Sequence, residues 1–338
     1  MSAQHSSRLR IGRRQFLQIL AFTGAAGGLY GLGSLRFGPK EHTIRQSRTM
    51  MGTQINLIVH GPDADQCLQA TRATFARMET LEHVFSRYEP DSALARLNAT
   101  GSLPAAPAEF LELLDLTDHI SKTTDGAFDI TVLPLLQLYA HDRLPEQQHL
   151  DEALKLVDYR AIERRGPHLA FTRPNMGITL DGIAKGYIVD QGVATLNSIG
   201  FADVYVEAGG DLMVTGNKPE GQPWRVGVRS PRARGSKTMP VISTFSPLAV
   251  ATSGDYMQAY SDDLRHHHIL NPRTGMSPLE LASVTVTAPS VALADGLATA
   301  AMVLGPMQAL DVLEKYAGCE GLFIGKDLHQ YRTTGFQG

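Results

Sequence analysis

Cysteine is nearly missing from this 338-residue chain, which has only Cys67 and Cys319. That scarcity excludes a disulfide-built scaffold, a zinc ribbon and a cluster ferredoxin. A surplus of one charge is missing too, since 31 Lys and Arg face 34 Asp and Glu for a formal net charge of −3. The chain therefore has no global basic surface of the kind that binds nucleic acid. No GxxxxGK[ST] stretch occurs, which excludes a Walker-type phosphate loop. No short-period repeat is present, so a solenoid or propeller is excluded. With 43% hydrophobic and 19% charged residues the chain is neither disordered nor collagen-like. Its length suits one large domain or two ordinary ones.

Residues 1–35 lack Asp and Glu but hold Arg8, Arg10, Arg13 and Arg14. Arg13-Arg14-Gln15-Phe16-Leu17 then opens a weakly apolar stretch rich in Gly and Ala, the form of a twin-arginine export signal. A bilayer anchor is the alternative, because residues 16–35 are about long enough to span. Gly24, Gly27, Gly28, Gly31 and Gly33 make that stretch a poor helix. Gly24-Ala25-Ala26 is a fair small-residue cleavage site, and an uncleaved leader would tether the protein to the membrane. No lipid-attachment cysteine motif follows, which argues against lipid anchoring. We expect a signal and the start of a linker over 1–38, linker over 39–47 and one domain over 48–332. The expected location is the periplasm, reached through the twin-arginine translocase. Taking the four leader arginines from the 31 basic residues leaves 27 against 34 acidic, so the exported part is acidic. An oxidising compartment permits a Cys67–Cys319 bridge. The polar helical setting of Cys67 and the turn setting of Cys319 favour two free thiols instead.

Beyond a polar stretch at 36–47, residues 51–60 alternate as a strand, with Ile55, Leu57 and Val59 on one face. Leu68, Phe75, Met78, Leu81 and Phe85 recur at helical spacing over 64–86. Further helices are expected at 107–122 and 151–157. Short strands are expected at 168–172 and 176–180, then a helix over 183–198. A hairpin joined at Gly209-Gly210 follows, then strands at 224–229, 239–245, 248–251 and 281–287. Helices at 291–304 and 306–317 precede a last strand at 320–324. Helices and strands come in blocks, which predicts an α+β fold with a largely antiparallel sheet.

The helix over 291–304 is apolar all round except for Asp295 and Thr299, which sit four apart on one face. A buried carboxylate needs a cation or several donors. A carboxylate and a hydroxyl without sulfur or imidazole suit a hard ion such as Mg²⁺. An ordinary ion pair beside a backbone-bonded Thr is the alternative. Thr179-Leu180-Asp181-Gly182-Ile183-Ala184-Lys185-Gly186-Tyr187 reads as a strand, a turn and a helix start. It is suited to a phosphate or an ion, with Lys185 supplying charge, or to nothing beyond a strand-to-helix connection. Gly209-Gly210 serves a turn or lets backbone crowd a flat ligand. In His266-His267-His268, neighbours on a strand diverge, so they do not converge on one ion. One of them pointing inward would be an acid or base. Tyr88 either stacks on an adenine or covers core. Asp129 is polar among apolar neighbours.

Taken together these segments resemble one family. Met51-Gly52-Thr53, Phe85-Ser86-Arg87-Tyr88, Gly126-Ala127-Phe128-Asp129, Gly182-Ile183-Ala184-Lys185-Gly186-Tyr187, Gly209-Gly210-Asp211, His268-Ile269-Leu270-Asn271-Pro272-Arg273-Thr274-Gly275 and Ala294-Asp295-Gly296-Leu297-Ala298-Thr299 occur in the order of the ApbE family, the FAD:protein FMN transferases. The match spans roughly 48–325, and the leader is similar to that of the branch associated with nitrous-oxide respiration. The resemblance implies a T-fold-like ApbE architecture, FAD as substrate and Mg²⁺ on its pyrophosphate. It places the metal on Gly182, Asp295 and Thr299. It places FAD against Met51, Tyr88, Ala127, Phe128, Asp129, Lys185, Leu270 and Ala298. His268 matches a histidine important for transfer. Where many members carry an Asp before this loop's glycine the chain has Thr179, with Asp181 beside Gly182, so Thr179 is counted with the FAD site and Asp181 with His268 as a candidate proton acceptor. The implied reaction moves FMN from FAD to a Ser or Thr hydroxyl of an acceptor flavoprotein subunit of a membrane electron-transfer system, releasing AMP. A non-catalytic FAD carrier and a metal-dependent FAD pyrophosphatase are the alternatives.

Overall fold

The computed structural model describes residues 41–139, 145–218, 221–232, 238–244 and 247–336. The leader expected over 1–38, and residues 39 and 40 of the linker, lie outside them. An antiparallel hairpin of β1 (His42–Met50) and β2 (Thr53–Gly61) opens the described chain. This corrects the linker expected up to residue 47. The polar residues there alternate between exposed and half-buried, because β1 is an edge strand that shows one face to water.

Next come α1 (Ala64–Phe85) and α2 (Ala93–Thr100), then β3 (Ser102–Leu103) and α3 (Ala108–Thr123). A 3₁₀ turn, α4 (Leu133–Tyr139), α5 (Gln147–Leu154), β4 (Ile162–Arg165) and β5 (His168–Phe171) follow. The short helix expected at 151–157 begins earlier, at Gln147. Residues 176–180, expected as a strand, join no sheet. Their backbone bonds elsewhere: Ile178 donates to and accepts from the Asn98 side-chain amide at 2.8 and 2.9 Å. Thr179 N donates to the Ile130 carbonyl at 2.8 Å.

The second half supplies α6 (Ala184–Ser198), β6 (Val204–Ala208), β7 (Asp211–Thr215), β8 (Trp224–Arg229), β9 (Thr238–Thr244), β10 (Leu248–Gly254) and β11 (Leu281–Ala288). It ends with α7 (Val291–Leu313), β12 (Glu320–Gly325) and β13 (Gln330–Arg332). Pro306 and the non-helical Gly305 break α7 where the sequence divides it into two helices.

One eight-stranded sheet runs in the order β1-β2-β6-β7-β10-β11-β12-β13, antiparallel at every pairing. Helices α1, α6 and α7 cover one face, where the main core lies. On the other face the β8–β9 hairpin lays Trp224 and Val226 over Leu212, Val214 and Val250. The expected α+β fold with a mainly antiparallel sheet is the one observed. Helix α7 is long and apolar enough to cross a bilayer, but most of it is core against this sheet. Both cysteines are free and buried.

Candidate active site

Several chain turns meet at one end of the large sheet. The β1–β2 turn is Met51-Gly52, and the Met51 N–H donates to Glu82 Oε1 of α1 at 2.5 Å. The β6–β7 turn is Gly209-Gly210, packed against Thr53. Between them Glu207, almost fully buried, accepts from Gly210 N at 2.7 Å and Asn56 Nδ2 at 2.5 Å. The last residues of β10 reach the same end, because Thr252 N donates to Asp211 Oδ1 at 3.3 Å.

Helices α6 and α7 bring the chemistry to this end. Asp190 of α6 accepts from Val291 N and Ala292 N at 2.8 and 2.9 Å, satisfying orphan donors at the start of α7. Gly186 sits so close to α7 that a Cβ there would lie 2.5 Å from the Val291 carbonyl oxygen. Its N–H donates to Asp295 Oδ2 at 3.3 Å. The first turn of α6 therefore aims one donor, the Gly186 N–H, and its positive dipole end at that carboxylate.

Asp295 is 4% exposed. Burial pushes its carboxyl up to about 7, against the pull of Lys185, and nearby Asp211 adds to the rise. Lys185 is salt-bridged to Asp211. Desolvation lowers its pKa, but Asp211 and Asp295 outweigh it and hold the ammonium protonated. One turn beyond Asp295, the half-buried Thr299 places Oγ1 3.2 Å from Ser253 Oγ and 3.5 Å from the Gly182 carbonyl oxygen. Asp295, Thr299 and Gly182 thus meet around a single helix start.

This donor set fits a hard cation. It offers one carboxylate, one hydroxyl and one carbonyl, and leaves room for water and substrate oxygens, which Mg²⁺ retains. The carboxylate is also short of compensation, with a single long hydrogen bond among its described contacts. Among the described residues no three His, Cys, Asp or Glu side chains gather as a metal cage.

A charged rim lies outside this group. Asp181 is half exposed and pairs with Arg87 at 3.0 Å. Arg87 lies 4.5 Å from the Tyr88 ring centroid, and Tyr88 is 75% exposed. Thr179 Oγ1 accepts from Asp181 N at 3.2 Å. His268 feels the charges of Lys185 and Asp181. Burial first, then His267, push its imidazole down to about 4, so it is neutral at pH 7. Its Nδ1 is buried without a partner, as are those of His266 and His267. The three histidines lie in an irregular loop with one isolated bridge, not on a strand as the alternation argument assumed.

Other expected positions contribute differently. Asp129 spends its carboxylate on Thr131 N, Thr131 Oγ1 and Tyr159 N at 2.8, 2.6 and 3.0 Å. Ala127 is buried, and Phe128 and Ala298 belong to the main core. Leu270 packs with Leu135, Tyr139 and Leu150 in a satellite core. Thr179 N ties this 3₁₀ loop to the site through Ile130. Three members of the site were given no role from sequence: Asp211 and Arg87, which lie inside motifs that carry the resemblance, and Ser253. Asp211 follows the paired glycines, which was its available signal. Ser253 gave none, because a Ser at a strand end is common.

Comparison with known proteins bears on this arrangement. The chain is 32% identical over 289 residues to the FAD:protein FMN transferase of Salmonella typhimurium, covering 81% of each chain. It is 31% identical over 246 residues to the enzyme of the same name from Haemophilus influenzae, covering 68% of this chain and 71% of that one. The crystal structure of the ApbE protein from Thermotoga maritima superposes with a TM-score of 0.78 at 29% identity, covering 87% of this chain and 97% of that one. The flavin transferase ApbE of Vibrio cholerae gives 0.77 at 28% identity, covering 88% and 99%. The ApbE family model matches residues 51–323, which hold every turn and helix that builds this site, and on that extent of agreement the chain belongs to the ApbE family.

Proposed function

We propose that this protein transfers FMN from FAD to a Ser or Thr hydroxyl of an acceptor flavoprotein, with a Mg²⁺ ion on the pyrophosphate. The observation that carries the proposal is the meeting of Asp295, Thr299 and the Gly182 carbonyl beside Lys185 at one helix start. When bound, the ion would supply charge neutralisation of the pyrophosphate oxygens.

The chain's own residues do the rest. Asp295, Thr299 and Gly182 would hold the ion, and Lys185 adds a fixed positive charge that Asp211 keeps in place. Tyr88, largely exposed beside Arg87, offers a face for a base to stack on. The acceptor oxygen forms a bond to the FMN phosphorus, the bond from that phosphorus to the bridging oxygen breaks, and AMP leaves. The acceptor's proton passes to a base, and neutral His268 is the candidate, with Asp181 the second. Phosphoryl transfer of this kind depends on positioning and charge more than on covalent catalysis.

The test is incubation of purified protein with FAD, Mg²⁺ and an acceptor domain containing Ser or Thr. The expected result is an FMN-sized mass increase on the acceptor with one AMP per transfer. Absence of adduct with any divalent ion would leave a FAD carrier. AMP release at full rate without acceptor would make the protein a pyrophosphatase. We place the reaction in the periplasm, with a flavoprotein subunit of a membrane electron-transfer system as acceptor. The support is the Arg13-Arg14 leader pattern. Replacing both arginines by Lys should hold the protein in the cytoplasm, and unchanged export would refute that location.

A further inference from the structure

Ser253 stands where β10 meets the proposed ion site, and the chain is pinned on both sides of it, at Thr252 and at Asp255. Thr252 bonds to Asp211 through its N–H and to Thr285 Oγ1 through its hydroxyl at 2.9 Å. On the other side Asp255, fully buried, takes a two-pronged contact from Arg232 at 2.8 and 2.7 Å and lies 3.5 Å from Lys326. Asp255 N also donates to the Ala282 carbonyl at 3.0 Å. The strand end is thus held firmly on both flanks of Ser253.

A hydroxyl has one proton and two lone pairs. If it ligates a cation, a lone pair faces the ion and the proton must go elsewhere. Thr299 Oγ1 has two described acceptors within reach: the Gly182 carbonyl at 3.5 Å and Ser253 Oγ at 3.2 Å. The carbonyl is itself one of the oxygens assigned to the ion, and a lone pair spent on a metal is a poor acceptor. That leaves Ser253. We propose that Ser253 is a positioning residue, which accepts the Thr299 proton and so turns the Thr299 lone pair toward the ion. This inference rests on the Mg²⁺ reading given above. Groups that orient a metal ligand commonly change affinity by 10–100-fold when removed.

The experiment titrates the purified protein with Mn²⁺ alone and follows loss of the free-ion electron paramagnetic resonance signal. Wild type is compared with Ser253→Ala, Ser253→Thr, Thr299→Ala and the Ser253→Ala/Thr299→Ala pair, with a thermal melt on each. The expected result is about a tenfold loss of Mn²⁺ affinity in Ser253→Ala. Ser253→Thr, which keeps the acceptor, should return to within about twofold of wild type. In the Thr299→Ala background, removing Ser253 should change nothing further. Unchanged affinity in Ser253→Ala overturns the inference. So does a Ser253→Ala loss that persists when Thr299 is already gone, since Ser253 would then touch the ion itself. A wild-type protein that binds no Mn²⁺ overturns the metal reading as well, and that result shows in the wild-type titration before any variant is compared.

Discussion

Replacing Gly186 by Ala tests the packing that builds the site. The added methyl would lie 2.5 Å from the Val291 carbonyl oxygen, 2.7 Å from the Val291 carbonyl carbon and 2.8 Å from the Ala292 Cα. All three are backbone atoms of α7, so no side chain can rotate away. Ordinary contact begins near 3.4 Å, so α6 and α7 must separate by about 1 Å. Overpacking of this kind costs roughly 1–3 kcal/mol, partly offset by the ~1 kcal/mol that Ala gains over Gly as a helix former. At about 2–4 °C per kcal/mol for a chain of this order of size, Tm should fall by a few degrees. The larger effect is on function. Separation pulls the Gly186 N–H from Asp295 and loosens the Asp190 cap, displacing the proposed ion site. A misplacement of about 1 Å can cost on the order of 100-fold in rate. Gly192→Ala is the control on the same helix, because its methyl would meet only side-chain atoms of Met78, Thr74 and Val206 at 3.3–3.5 Å. The assays are a thermal melt and single-turnover FMN transfer. The reasoning is refuted if Gly186→Ala matches wild type in both, or if Gly192→Ala loses as much rate.

Asp295→Ala should abolish transfer while weakening FAD binding less, seen by flavin fluorescence titration beside the transfer assay; normal transfer would remove the metal assignment. His268→Ala should slow single-turnover transfer by about 10²–10⁴-fold with FAD affinity largely kept. In the wild type the rate should fall as pH drops through about 4, where His268 becomes charged, and a rate independent of His268 would exclude it as the base. Burial pushes the Asp190 carboxyl up to about 6 from its ordinary 3.8, even though Ala292 N and Val291 N pull it down. The folded state then binds the proton more tightly than the unfolded chain, so this group's stabilisation is complete below about 4 and is lost as pH rises through 6. Denaturant midpoints for Asp190→Asn should vary less between pH 4 and 6 than those of wild type, and an unchanged slope would contradict this.

Much of this protein could be read along the chain, because the strongest signals are periodic and local. The apolar ring around Asp295 and Thr299 declares a buried helix with one polar stripe, and both residues do meet the 182–186 turn. The alternation of Ile55, Leu57 and Val59 declares a half-buried strand, and all three lie in the main core. Shorter signals misled. Residues 176–180 have the apolar composition of a strand, yet Asn98 and Ile130 take their backbone bonds. Residues 42–47 look like a linker, yet β2 recruits them as an edge strand. The site's supporting residues were silent for the same reason. Asp211 is ordinary until Lys185, 26 positions away, salt-bridges to it, and Ser253 is ordinary until α7 sets Thr299 beside it, 46 positions on. Local sequence decides which residues can form a helix, a turn or a polar stripe, since backbone sterics and periodic burial act over a few positions. Which polar groups share a site depends on antiparallel pairing and helix packing between distant segments, and that was decided by the tertiary structure alone.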